Sequence, residues 1–166
     1  VGLNHKNPLF QDQKVRQALM YAIDRKDVVK SVYSNYAHVQ NINQTAENWL
    51  YTTKGINTYD YNLDKAAQLL KEAGWTKDSS GNLTKNGKPF KFTFTATKGN
   101  AVTDVLIPSM ISSYKKLGIN MSAEYVDWPT LQNKFKKLTY DMSFMAWGLN
   151  PNPDDSYVYK TGGSEN

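Results

Sequence analysis

The residues best suited to bind a ligand lie in one aromatic and polar stretch near the end of the chain. Trp147 is followed by residues 148–155, with the sequence GLNPNPDD. The indole face, the backbone amides and the asparagine side chains of this stretch can hold a flexible polar ligand without reacting with it. Trp147 can equally be a core residue at the end of a strand, with the loop a plain connection. These residues alone leave both interpretations open.

Groups that could catalyse a reaction or bind a metal are scarce. The chain has no cysteine, and His5 and His38 lack a His, Asp or Glu at the spacing of metal ligands. It contains no G-x-S-x-G elbow, P-loop or G-x-G-x-x-G motif. The adjacent Asp154 and Asp155 would point apart along an extended chain, so a turn or capping role is favoured over acid–base work. We expect no catalytic residue, no metal and no cofactor, with an extracytoplasmic hydrolase as an alternative.

The basic balance of the chain raises the question of nucleic-acid binding. The formal net charge is +5, and among the 20 basic residues only Arg16 and Arg25 are arginines. The lysines are dispersed from Lys6 to Lys160, and their densest runs fall where helices are predicted to end, a position that suits cations. Phosphate contacts need clustered charge. We therefore expect a solvated surface and no nucleic-acid partner.

Helical periodicity preceded by capping residues predicts five helices. Pro108 predicts that the fourth of them is kinked or begins late. Three strands are predicted at 90–96, 119–125 and 140–147, and Asn86-Gly87 indicates a hairpin. Residues 33–60 lack periodicity and are expected to form a long irregular connection. The predicted helices begin after Asp12, Asp24, Asn62, Asn100 and Asp127.

The order of these elements predicts the fold class. Strands that alternate with helices imply right-handed crossovers and a parallel βαβ core, so the expected class is α/β. In open sheets of this kind, ligands bind at the loops that follow the carboxyl ends of the strands. Those loops are 98–100, 126–128 and 148 onward, which places the stretch after Trp147 at a candidate site.

Three ordered motifs resemble family 5 of the extracellular solute-binding proteins, the class that serves oligopeptide and dipeptide importers. The first motif is residues 7–25, NPLFQDQKVRQALMYAIDR. The second runs from Tyr61 to Trp75, and the third comprises Leu117-Gly118-Ile119, Val126-Asp127-Trp128 and the segment from Tyr140 to Trp147. The resemblance covers nearly the whole chain.

The resemblance implies a mixed sheet within the C-terminal lobe of a two-lobed, periplasmic-binding-protein-like fold. Residues 1–166 would form a single incomplete lobe, and the chain would be a fragment of a longer protein. It implies a binding component of an ABC importer that captures oligopeptides between its lobes and is not an enzyme. The implied partners are the oligopeptide, the ABC permease subunits and the N-terminal lobe. The implied location is the cell surface or periplasm, with a lipid anchor on the full-length protein.

The resemblance also suggests site residues. Trp147 matches a tryptophan that lines the cleft of peptide-binding members. Three residues later those members place an Asp that pairs with the amino terminus of the ligand, but this chain has Asn150, which gives up the ion pair. Asp154 or Asp155 could replace it, the missing lobe could bind the amino terminus, or the ligand could be an oligosaccharide or a metal chelate. The candidate ligand-binding residues are Trp147, Gly148, Leu149, Asn150, Asp154, Tyr36 and Trp49.

Overall fold

The computed structural model describes residues 1–34, 36–146, 148 and 154–163. Two compact units divide the chain, the first comprising Val1–Val39 with Tyr59–Met145 and the second Gln40–Thr58 with Ala146–Asn166. The strands are β1 (Gly2–Leu3), β2 (Thr76–Lys77), β3 (Leu83–Lys85), β4 (Lys88–Pro89), β5 (Lys91–Thr97), β6 (Asn120–Val126) and β7 (Met142–Ser143). The helices are α1 (Gln13–Tyr21), α2 (Arg25–Tyr33), α3 (Leu63–Glu72), α4 (Ala101–Leu117), α5 (Trp128–Lys137) and α6 (Ser156–Tyr159), with a 3-10 turn at Pro8–Phe10.

A four-stranded mixed sheet is the centre of the first unit. Its strand order is β1-β7-β5-β6, with β5 parallel to both β6 and β7, and with β1 antiparallel to β7. The β5–β6 ladder runs in register from Lys91 opposite Asn120 to Thr97 opposite Val126. The predicted α/β class with a parallel core is therefore confirmed. Strand β1 was not predicted, because two residues are too few to show a periodicity.

The helix caps predicted at Asp12, Asp24, Asn62 and Asp127 are confirmed. At each of the five predicted helix starts, the side chain of the capping residue accepts a backbone N–H from the first turn. Helix α4 begins directly after its cap at Asn100 and continues through Pro108, so a late start is wrong. Apart from Asn35, residues 34–62 are described and form neither helix nor strand, as expected. None of the helices in the described ranges is both long and apolar enough to cross a membrane.

The third predicted strand is much shorter than expected. Residues 140–147 were predicted to be extended, but β7 contains only Met142 and Ser143. At the start of β7, the Asp141 carboxylate accepts the backbone N–H of Thr93 at 2.9 Å and the side-chain amide of Asn7 at 2.8 Å. A side chain thus satisfies the β5 donor that a longer β7 would have paired.

The core lies between the sheet and helices α1, α3 and α4. Phe92 and Phe94 of β5 are buried in this core. The buried Tyr114 of α4 donates its hydroxyl hydrogen to the Leu19 carbonyl of α1 at 3.2 Å. Thr95 points to the opposite face but is buried as well, so burial on β5 does not alternate strictly. On β6 the predicted alternation is only partly observed. Met121 is buried, whereas Ala123 and Tyr125 are exposed on this edge strand.

A small second sheet joins β2, β3 and β4. Asn86 and Gly87 have positive φ and connect β3 to β4, which confirms the predicted hairpin. Leu83 donates its N–H to the carbonyl of Gly118 at 2.7 Å, and this bond attaches the small sheet to the end of α4. Gly118 has φ +85°, and a side chain there would collide with the Gly81 carbonyl oxygen.

Candidate ligand-binding site

A cavity of about 670 Å³ lies at the carboxyl ends of β5 and β6. Parallel strands bring their following loops to the same edge of a sheet, and here they bring together two of the three loops predicted to meet a ligand. The cavity is open to solvent and has a mixed apolar and polar lining. Its lining residues are Thr97, Lys98, Tyr125, Val126, Asp127 and Trp128.

Two aromatic side chains form the apolar part of this lining. Trp128 is 57% exposed and Tyr125 is 41% exposed. Trp128 is the first residue of α5, and its position is fixed by the cap that precedes it. Asp127 accepts the Thr130 N–H at 2.8 Å, and hydrogen bonds from the side chain and the backbone of Thr130 lower the pKa of its carboxyl group. The ionised cap therefore holds the start of the helix, and with it the indole, at the rim of the cavity.

An ion pair fixes α5 to the sheet. The Lys134 ammonium lies 2.9 Å from the Glu124 carboxylate on β6, and the Thr95 hydroxyl donates to the same carboxylate at 2.9 Å. The hydrogen bond from Lys134 is the main cause that lowers the pKa of Glu124. These contacts join α5, whose first residue is Trp128, to strands β5 and β6.

The other described candidate residues are reported within their own units. In the first unit, Tyr36 is 96% exposed. In the second unit, Trp49 is 80% exposed and Gly148 is exposed. Asp154 accepts the Ser156 N–H at 2.9 Å, which lowers the pKa of its carboxyl group. This hydrogen bond is the turn role predicted for the acidic pair.

The second unit also contains contacts that the sequence did not predict. The Asp155 carboxylate accepts the side-chain amides of Asn43 and Gln44, the latter at 2.9 Å. Two segments that lie far apart in the sequence are thereby joined by one acidic side chain. The role of Asp155 in the described residues is structural.

Three of the predicted site residues lie outside the described residues. They are Trp147, Leu149 and Asn150. Their proposed contact with a ligand stays a prediction.

Sequence reasoning did not select Lys98, Tyr125 or Trp128 as ligand contacts, although two predicted loops contain Lys98 and Trp128. A signal was present for Lys98 and Trp128, because they lie in loops that follow parallel strands, whereas the alternating pattern of the second predicted strand placed Tyr125 on a buried face. No group of three or more His, Asp or Glu side chains in the described ranges is arranged to hold a metal ion.

Comparison with known proteins decides the family. The family model described as "Bacterial extracellular solute-binding proteins, family 5 Middle" matches residues 1–166. The chain belongs to this family. The predicted family resemblance is therefore confirmed.

Family 5 relatives match over nearly the whole chain. The oligopeptide-binding protein AppA of Bacillus subtilis (strain 168) is 35% identical over 164 residues, which cover 96% of this chain and 30% of AppA. The structure of AppA from Bacillus subtilis in complex with a nonapeptide superposes with a TM-score of 0.89 at 34% identity and covers 98% of this chain and 33% of that chain. NikZ from Campylobacter jejuni, solved in complex with Ni(L-His), has a TM-score of 0.80 at 28% identity, with coverages of 99% and 32%. The chain thus spans about 30% of the length of the curated AppA sequence.

Proposed function

We propose that this chain forms one wall of the ligand-binding site of an oligopeptide receptor that serves an ABC importer. The observation that carries the proposal is the cavity at the carboxyl ends of β5 and β6, with the exposed indole of Trp128 at its rim. The support from relatives is AppA, a family member of similar fold that is an oligopeptide-binding protein.

The chemistry of the cavity suits a peptide. The faces of Trp128 and Tyr125 offer apolar area for side chains of any sequence, as a receptor of broad specificity requires. Lys98 is exposed at the same edge and can pair with a carboxylate of the ligand. Further contacts are proposed from the sequence for Trp147, Gly148, Leu149, Asn150, Asp154, Tyr36 and Trp49.

The mechanism of the whole receptor is proposed by extension. Residues 1–166 act as part of one lobe, and an N-terminal lobe supplies the facing wall. A ligand held between both walls stabilises the closed form through contacts that the open form cannot make, which shifts the population to the closed state. The closed receptor then delivers its cargo to the permease subunits, outside the cytoplasm and next to the membrane to which a lipid anchor attaches it. No covalent step is part of this mechanism, so the chain is not an enzyme.

A metal chelate is the second candidate ligand. NikZ, which was solved with Ni(L-His), matches 99% of this chain, so the fold is compatible with such a cargo. Asn150 stands where peptide-binding members are expected to place an Asp, and this difference is compatible with a ligand that lacks a free amino terminus. The exposed aromatic surface and the identity to AppA favour the peptide.

Native mass spectrometry of a full-length receptor containing this sequence, purified without refolding, tests the type of ligand. We expect a ladder of bound masses that tandem fragmentation resolves into amino-acid residues. Bound masses that differ by hexose units, or a nickel isotope pattern, would contradict the peptide assignment. Release of shortened peptides during incubation would contradict the absence of catalysis.

A further inference from the structure

The structure brings together lysines that the sequence disperses. Seven of them lie in the last turns of α3 and α4, on the small sheet β2–β4, and at the first residue of β5. Six are exposed, and Lys85 is half-buried. We call this set the lysine patch, and its members are Lys71, Lys77, Lys85, Lys88, Lys91, Lys115 and Lys116.

Hydrogen bonds from two lysines of the patch join the small sheet to the ends of α3 and α4. Lys77 donates to the Lys116 carbonyl at 2.9 Å, which joins β2 to the end of α4. Lys85 donates to the Ala73 carbonyl at 2.7 Å and faces Lys88 across the hairpin. Two of the seven ammonium groups therefore compensate the carbonyls at helix carboxyl ends, a common role for lysine. The other five are not needed for these contacts.

The charge of the patch is not balanced locally. The segments that carry these lysines contain two carboxylates, Glu72 and Asp78. Glu72 is paired with Lys14 at 2.9 Å, and Asp78 accepts hydrogen bonds within its own turn. Among the described residues, no ion pair involves any lysine of the patch. Seven lysines against two carboxylates leave five excess positive charges, which equals the formal net charge of the whole chain.

The patch lies at the end of the sheet opposite to the cavity. Strand β5 begins at Lys91 and ends at Thr97, so about 20 Å of strand separates the two surfaces. A partner on the patch would therefore leave the ligand site accessible. This surface is distinct from the one described above.

We propose that the lysine patch docks on an anionic phospholipid surface. Clusters of four to eight basic side chains are typical of attraction to anionic lipids. The patch contains no arginine, the residue that recognises phosphate through a planar fork. The aromatic residues of its segments, Trp75 and Phe90, are buried, so it offers no ring on which a nucleobase could stack. These features favour a lipid surface over a nucleic acid, and the extracellular family of the chain places such a surface within reach.

Co-sedimentation of the 166-residue chain with lipid vesicles tests the proposal. The vesicles contain phosphatidylcholine with about 30 mol% phosphatidylglycerol, or phosphatidylcholine alone, at about 0.05 M and about 0.15 M salt. We expect binding to the anionic vesicles only, and weaker binding at the higher salt. Equal binding to both vesicle types, or tighter binding to duplex DNA at the same salt, would overturn the lipid assignment.

Charge-neutralising variants localise the interaction. Each lysine near an anionic surface contributes roughly fivefold to binding, so K88Q/K91Q should weaken it about 25-fold and either single substitution about fivefold. The control K30Q/K54Q removes the same charge from exposed positions outside the patch and should change binding less than about twofold. A control that loses as much as K88Q/K91Q would show a general charge effect and refute the patch. Far-UV circular dichroism checks that each variant is folded, and the single variants keep the test decisive if the double variant is not.

Discussion

Replacement of Trp128 by alanine should weaken ligand binding while the chain remains folded. The indole is 57% exposed, which leaves roughly 140 Å² of a side chain of about 250 Å² accessible to a ligand. At about 25 cal/mol per Å², complete coverage of this area would contribute about 3.5 kcal/mol. A peptide that covers half of it gives about 1.7 kcal/mol, so W128A should raise the Kd about 20-fold.

The assay is an NMR titration of the ¹⁵N-labelled chain with a nonapeptide at concentrations on the order of millimolar. The indole N–H signal of Trp128 should shift, and the signal of the buried Trp75 should not. The matched control is L138A, which removes an apolar side chain that is 40% exposed at the opposite end of α5. We expect this control to leave the Kd within about twofold. Each variant loses the buried part of its side chain, so each should lower the free energy of unfolding by about 1 to 3 kcal/mol and still be folded.

Two results would refute the reasoning. Equal affinities of W128A and the unaltered chain would show that the indole is not part of the ligand surface. A loss of affinity in L138A equal to that in W128A would show that the effect comes from α5 as a whole and not from its first residue.

Three further predictions concern the elements that support the site. D127A should lower the free energy of unfolding at pH 7, because it removes the cap of α5. Because the folded carboxyl has a lowered pKa, the difference between the two proteins in urea unfolding should shrink as the pH falls through that pKa, and a constant difference would contradict the capping role. G118A should lower the free energy of unfolding by more than about 3 kcal/mol in the same assay. G81A, also at positive φ but with open space around it, should lower it by about 1 kcal/mol. Equal losses would contradict the close approach of Gly118 to the Gly81 carbonyl oxygen. D141A should lower the free energy of unfolding by about 2 to 4 kcal/mol, because it leaves the Thr93 N–H without its acceptor. Hydrogen exchange at the Thr93 amide should accelerate, and unchanged exchange would contradict the contact.

Much of the fold was predictable because its signals are local. The helix caps at Asp12 and Asn62 and the hairpin at Asn86-Gly87 each depend on a few neighbouring residues, and the structure confirms them. The length of β7 was not predictable in this way. Its start follows Asp141, whose side chain is hydrogen-bonded to Thr93, 48 positions away in the sequence.

The candidate site was predictable in its location and less so in its residues. The rule for parallel strands indicated the edge where the cavity lies, because topology alone determines it. The exposure of Tyr125 was not foreseen, since an alternating strand pattern predicts that its face is buried. That pattern carries no information about where a sheet ends, and β6 is an edge strand. The lysine patch was missed for a related reason, because it is assembled from six separate elements.

Titration calorimetry of the 166-residue chain and of a full-length receptor containing it, with the same nonapeptide, tests the central claim most directly. Affinity in a two-walled site comes from contacts on both sides. The full receptor should therefore bind the peptide on the order of a hundredfold or more tightly than this chain alone. Comparable affinities would contradict the claim that this chain forms only one wall of the binding site.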